Sequence, residues 1–263
     1  MQAGNNHPIG VFDSGIGGLS VANAIFSLLP HESIVYFADT GRVPYGPRPK
    51  AEIRRFAHEI AAFLIGQGCK LLVVACNTVT AVALEDLRQQ WPDIPIVGME
   101  PAVKPAAAAT RNNKVGVLAT QVTITSERFA QLMDRYTVGV HVWANPCLGL
   151  VPLIEAGKMD DPETEALLHE IVDPMLAEGV DTLVLGCTHY PFIQPLLRRM
   201  VGSEVEIIDP SPAVARQVKR RLEALHLAAH PDHVPDYRFF ASGATTDLAL
   251  LTPIPFFIDA ITG

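Results

Sequence analysis

Two cysteines stand at equivalent points of two similar segments, Leu72-Val73-Val74-Ala75-Cys76-Asn77-Thr78 and Leu183-Val184-Leu185-Gly186-Cys187-Thr188-His189. Each segment reads as an apolar strand, a cysteine, a polar pair and then a helical pattern, and the two lie about one small α/β domain apart. A thiol where a strand's carboxyl end meets a helix start sits beside the positive end of that helix, which lowers its pKa and prepares a thiolate. One such cysteine is ordinary core filler. Two on equivalent units put a thiol on each wall of a cleft, and two opposed acid/base groups suit inversion at a carbon, one removing a proton while the other supplies one to the opposite face. The plainer alternative is a pair of similar core strands; against it, both cysteines fall where open α/β sheets place their ligand sites. Cys69 precedes its strand and Cys147 follows Pro146, so both are assigned to structure. No C-x-x-C pair occurs, and no metal cage is expected.

Holding two thiols across a cleft needs two stable lobes, and the composition allows them. Of 263 residues, 49% are hydrophobic and 18% charged, which excludes disordered and fibrous classes and suffices for one large core or two small ones. Short β-branched runs alternate with helical patterns along the chain, the signature of parallel βαβ units. Strands are predicted at 9–13, 33–39, 71–76, 94–99, 114–120, 140–144, 182–187, 205–209 and 237–242. Helices are predicted at 19–29, 50–67, 79–90, 162–178, 191–200 and 212–227, several beginning at proline, which a first turn tolerates. The expected fold is α/β, two similar parallel-sheet lobes with the active site in the cleft between them. Proline-bearing linkers at Met99-Glu100-Pro101 and Pro210-Ser211-Pro212 suggest a discontinuous first lobe, 1–100 plus 212–263, and a second lobe at 101–211.

With 20 Lys and Arg against 28 Asp and Glu the net charge is −8, and no basic run could neutralise a series of phosphates, so nucleic acid is not an expected partner. The longest apolar runs, 60–65 and 71–76, fall far short of a membrane span, and the opening residues lack the cationic and apolar regions of a signal peptide. The chain is therefore expected to be soluble and cytoplasmic, with its cysteines kept as thiols. His226, His230 and His233 lie in a polar stretch without cysteines or spaced carboxylates, so no metal is expected there.

Two further motifs fall at strand ends. Asp13-Ser14-Gly15-Ile16-Gly17-Gly18 follows an apolar strand, but the third glycine of a dinucleotide fingerprint is absent, since position 20 is Ser, and no P-loop occurs. What remains is a tight turn whose backbone N–H groups suit a carboxylate or phosphate. Asp13 is either a carboxylate at the rim of that site or a helix cap. The loop from Thr40 to Pro49 carries three prolines and two glycines after a strand ending in Asp39. It is either a plain surface loop or a rigid cover to which Tyr45 contributes a hydroxyl and Gly46 an N–H.

These motifs, Asp13-Ser14-Gly15 with Gly17-Gly18, Pro44-Tyr45-Gly46, Cys76-Asn77-Thr78 and Gly186-Cys187-Thr188-His189-Tyr190-Pro191, resemble in identity and order those of the cofactor-independent glutamate racemases, within the wider aspartate/glutamate racemase family. The last is the most specific, because the aspartate relatives typically carry an acidic residue where this chain has His189. The resemblance implies an isomerase that interconverts L- and D-glutamate without a cofactor and supplies D-glutamate for bacterial peptidoglycan. It makes Cys76 and Cys187 the catalytic acid/bases, Cys76 facing the D-enantiomer's proton and Cys187 the L-enantiomer's, with Asp13 assisting Cys76 and His189 assisting Cys187. Ser14, Tyr45, Gly46, Asn77, Thr78 and Thr188 would hold the substrate's carboxylates and ammonium, joined by Thr120 and Thr123. Glu155 resembles a second-lobe carboxylate near the histidine.

This chain departs from the family's pattern at Val79, where alanine or serine is common, and at Gly41, where many members have alanine. None of its six lysines lies in these motifs, which weighs against pyridoxal phosphate, and no cofactor is expected. Some members have a longer N-terminal extension linked to activation by a peptidoglycan precursor; only eight residues precede Ile9 here, so basal activity without an activator is expected. The expected partner is small-molecule glutamate, with a homodimer left open. A racemase for aspartate or another amino acid, and a non-catalytic small-anion binding protein, are the rival readings.

Overall fold

The computed structural model describes residues 5–244 and 251–260. The β-branched runs form two parallel sheets. The first, in the order β10-β9-β2-β1-β3-β4, contains β1 (Ile9–Asp13), β2 (Ile34–Ala38), β3 (Leu71–Val74), β4 (Ile96–Gly98), β9 (Tyr237–Ala241) and β10 (Phe257–Ala260). The second, in the order β6-β5-β7-β8, contains β5 (Lys114–Ala119), β6 (His141–Asn145), β7 (Thr182–Gly186) and β8 (Glu206–Ile208). The chain leaves the first sheet after β4, builds the whole of the second, and comes back with β9 and β10. Strand β10 lies beyond the elements predicted from sequence; it extends the sheet by pairing in parallel with β9.

Helices cover both faces of each sheet, which is why the central strands are apolar throughout instead of alternating. On one face of the first sheet, α1 (Leu19–Leu28) and α10 (Ser211–Ala224) pack on Ile9, Val11 and Tyr36. On the other, α2 (Lys50–Gly66) and α3 (Asn77–Gln90) pack on Phe12, Leu72 and Val74. In the second lobe, α4 (Val103–Ala109) and α6 (Glu127–Tyr136) cover Val115 and Val117, while α7 (Leu150–Glu155) and α8 (Pro162–Ala177) cover Leu183 and Leu185. The short α5 (Gln121–Ile124) follows β5, and α9 (Gln194–Val201) follows a 3-10 turn at Tyr190–Ile193.

Register decides which strand ends meet. Asp13 pairs with Ala38, and Ala75 N–H donates to the Phe12 carbonyl, so Asp13, Asp39 and Cys76 come to one carboxyl edge. Ala119 pairs with Gly186, which sets Thr120 beside Cys187 on the other sheet's carboxyl edge. At the opposite, amino edge of the first sheet a buried ion pair ties four segments together. Lys70 Nζ, just before β3, lies 2.6 Å from Glu32 Oε2, just before β2, with both side chains under 5% exposed. Lys70 also donates to the Asn5 carbonyl, and Glu32 Oε1 accepts the Ala229 N–H at 2.8 Å. Among the described residues no helix is long and apolar enough to cross a membrane, and no group of three metal-ligating side chains is assembled.

Candidate active site

The two carboxyl edges line a cavity of about 320 Å³. From the first lobe come Ser14, Tyr45, Gly46, Cys76, Asn77 and Thr78; from the second, Thr120, Cys187, Thr188 and His189. The remaining residues singled out from sequence, Asp13, Thr123 and Glu155, stand one layer behind.

On the first wall, Cys76 is the residue before α3, 4% exposed, and its thiol lies 3.7 Å from Ser14 Oγ. The polar pair Asn77-Thr78 is not a linker but the first turn of that helix. The sequence argument held that the helix end would lower this thiol's pKa, and the balance goes the other way. Burial, reinforced by the Asp13 charge, pushes Cys76 well above the usual thiol value, and the Val79 N–H that bonds the sulfur does not offset them. Asp13 is fully buried behind the cavity lining, beside the N-cap of α1. Its Oδ2 accepts the Gly18 N–H at 2.9 Å at the start of α1, and its carboxyl is coupled by a hydrogen bond to Cys76. Burial raises its pKa despite the opposing pull of His189.

On the second wall, Cys187 is 6% exposed, with its sulfur 3.7 Å from His189 Nδ1. No α-helix starts directly after it: Pro191 and Pro195 break the segment into the 3-10 turn followed by α9, so the helix-end argument does not apply to this cysteine. Its neighbouring charge comes from a side chain instead. His189 Nε2 is 2.5 Å from Glu155 Oε1. Burial would depress the His189 pKa, but the bonds to Cys187 and Glu155 and the nearby Asp13 charge outweigh it and hold the ring well above its ordinary 6.5. Nitrogen-detected NMR should therefore show a doubly protonated ring through neutral pH; a neutralisation step near 6.5 would contradict this. Because the folded value is raised, its contribution to stability is complete below about pH 6.5 and is lost as pH rises through the folded value.

Hydroxyls and amides fill the space between the walls. Thr78 Oγ1 is 2.9 Å from Thr120 Oγ1, which is 2.9 Å from Thr123 Oγ1, a chain of hydroxyls crossing from lobe to lobe. Asn77 Nδ2 and Oδ1 are buried with no hydrogen-bond partner among the described residues, an arrangement that a ligand with both donors and acceptors would complete. Thr188 Oγ1 instead donates to Asp13 Oδ1 at 3.4 Å. The Tyr45 hydroxyl donates to Asp39, so this phenol fixes its own loop and is not a free donor to a ligand. Asp39 also accepts from Ser242 Oγ at 2.6 Å and pairs with Arg42.

Three features were not foreseen. Cys147, assigned to structure, lines the cavity, its loop turning back at a positive φ of 45°. Burial pushes its thiol up to about 12, and it donates to the Asn145 carbonyl at 3.3 Å, which keeps it a neutral wall group. The fully buried Tyr190 lines the same wall; its place right after His189 was the available signal. Third, one N–H of the glycine turn is taken by the protein's own Glu155, whose Oε1 accepts the Ile16 N–H at 3.0 Å.

A model of the Asp/Glu/Hydantoin racemase family matches residues 9–218. The chain belongs to that family. Among its racemase relatives is the glutamate racemase of Stutzerimonas stutzeri, 51% identical over 247 residues that cover 94% of this chain and 93% of the relative. A glutamate racemase isoform from Bacillus anthracis has the same two-lobed fold, with a TM-score of 0.85 and 33% identity over 98% of both chains. The Francisella tularensis glutamate racemase, solved in complex with D-glutamate, gives 0.82 at 33% identity, again over 98% of both. The two departures from the family pattern have local settings. Val79 is buried in the core between α2 and α3. A Cβ at Gly41 would lie 2.8 Å from the Ser242 carbonyl oxygen, so the end of β9 comes close enough here to favour glycine.

Proposed function

We propose that this chain interconverts L- and D-glutamate by two-base proton transfer, in the cytoplasm, without a cofactor, and supplies D-glutamate for peptidoglycan synthesis. The observation that carries the reading is the pair of buried thiols on opposite walls of one cavity, each with its own ionisable partner, Asp13 behind Cys76 and the His189–Glu155 pair behind Cys187. With L-glutamate bound, Cys187 takes the α-proton while Cys76 delivers one to the opposite face; with D-glutamate the roles exchange.

The α-proton beside a carboxylate is very weakly acidic, so charge developing on that carboxylate needs donors already in place. Asn77, the hydroxyls of Thr78 and Thr120, the latter backed by Thr123, and the Gly46 N–H meet that need in a cavity also lined by Pro44, Pro47 and Val151. His189, charged and oriented by Glu155, supports negative charge on the Cys187 sulfur as the proton moves. Asp13, kept able to hold a proton, serves Cys76 in the same way.

The test is to incubate the purified protein with L-glutamate in deuterated water. D-glutamate carrying deuterium at the α-carbon is the expected product, with aspartate and other amino acids turned over far more slowly. No D-glutamate, or activity only after pyridoxal phosphate or a divalent metal is added, would overturn the proposal.

A further inference from the structure

At two glycines of the turn between β1 and α1 an added side chain would collide with a side chain of the second lobe. A Cβ at Gly15 would lie 1.9 Å from Glu155 Oε1, and its three nearest atoms all belong to Glu155; a Cβ at Gly17 would lie 2.3 Å from His189 Nδ1. Neither glycine has a positive φ, so the backbone conformation alone does not call for glycine. The close approach of the second lobe does. Through the gap at Gly15 passes the bond from Ile16 N–H to Glu155 Oε1, and the same oxygen meets His189 Nε2.

We propose that Glu155 is a latch between the lobes: one carboxylate oxygen holds the first lobe's glycine turn and the second lobe's His189 together, so that cleft closure and the alignment of His189 on Cys187 are a single event. The latch accounts for glycine at 15 and 17, since a Cβ at 15 would displace the Glu155 carboxylate from its bond to the Ile16 N–H and a Cβ at 17 would press on the His189 ring. Glu155 is thus a positioning residue that reaches the chemistry only through His189 and the turn. The kinetic consequence rests on the racemase reading above; the contact itself does not.

Because the three atoms nearest a Cβ at Gly15 all belong to Glu155, the geometry makes a non-additive prediction. Gly15→Ala should weaken hydrogen-exchange protection of the Ile16 amide and raise KM for both glutamate enantiomers, each by about tenfold, because a cleft held ajar penalises both. Glu155→Ala should lose the same protection. Adding Gly15→Ala to Glu155→Ala should change neither quantity by more than about twofold, since the collision partner is gone. His189→Asn should instead keep the Ile16 protection and slow chiefly proton removal from L-glutamate.

Wild-type protection and KM in Gly15→Ala would overturn the latch, and so would effects that simply add in the double variant. If Gly15→Ala alone does not fold, the double variant decides: its protection and KM must match those of Glu155→Ala, and a mismatch refutes the proposal. Ile16 exchange is readable whether or not glutamate is the substrate, so failure of the racemase reading would be seen separately, as wild-type protein with a protected amide and no turnover.

Discussion

Replacing either Cys76 or Cys187 with alanine is expected to lower glutamate turnover by roughly 10²-fold or more, because racemisation needs both a proton acceptor and a proton donor. Each variant should still fold, since the change deletes one small buried atom and leaves the strand ends unaltered. The sharper form uses serine at each position and a substrate with a good leaving group at the β-carbon, whose elimination needs only one deprotonation. Cys76→Ser should then spare elimination from the L-substrate, and Cys187→Ser from the D-substrate. The partner groups should follow the same handedness. Asp13→Asn should slow proton removal from D-glutamate and His189→Asn from L-glutamate, visible in isotope effects while the final ratio of enantiomers stays at one. Cys69, in the core of the first lobe, is the control. Equal damage from Cys69→Ala, or full racemisation in both paired variants, would refute the two-thiol mechanism.

The second large effect is on stability and lies at the far edge of the first sheet. Lys70 and Glu32 are removed from water together, and burial drags the Lys70 pKa down while Glu32 holds it up. Lys70→Ala would leave a buried carboxylate whose remaining partner is the Ala229 N–H, at a cost of about 3–5 kcal/mol. Replacing both, as Lys70→Met with Glu32→Leu, should cost far less, because neither charge is then stranded. Urea unfolding of the single and double variants measures the difference. A single variant within about 1 kcal/mol of wild type would show that the pair is not functioning as a buried ion pair.

The contrast between these two regions marks how far the sequence could be read. Strands such as Ile9–Asp13 and Thr182–Gly186 were legible because both of their faces are covered, so their apolar runs are continuous and bounded by turn residues. Strand β10 was not, being only four residues at a sheet edge. The same holds for the site. Cys76 and Cys187 stood out through a repeated local pattern and His189 through the family resemblance, whereas the Cys76 pKa depends on burial and on Asp13, which sits far off in the chain. Nothing adjacent to Cys147 revealed that the turn before α7 would bring it to the cavity, and nothing adjacent to Tyr45 revealed that its hydroxyl would go to Asp39. Contacts set by tertiary approach leave no trace in a sequence window; contacts set by strand and helix periodicity do.

The return of the chain to its first sheet also orders its birth on the ribosome. Synthesis delivers β5 to β8 as a complete parallel sheet before α10, β9 and β10 exist, while β2 waits as an open edge and the face of α1 that α10 will cover is bare. The lobe begun first is thus finished last, and the nascent protein carries one mature half and one unfinished half until its final strands emerge. Aromatic residues of that late segment, Tyr237 and Phe239, then close over Phe26 and Tyr36. A chain interrupted before β9 would keep Cys76 and Cys187 and still leave the edge of β2 unpaired.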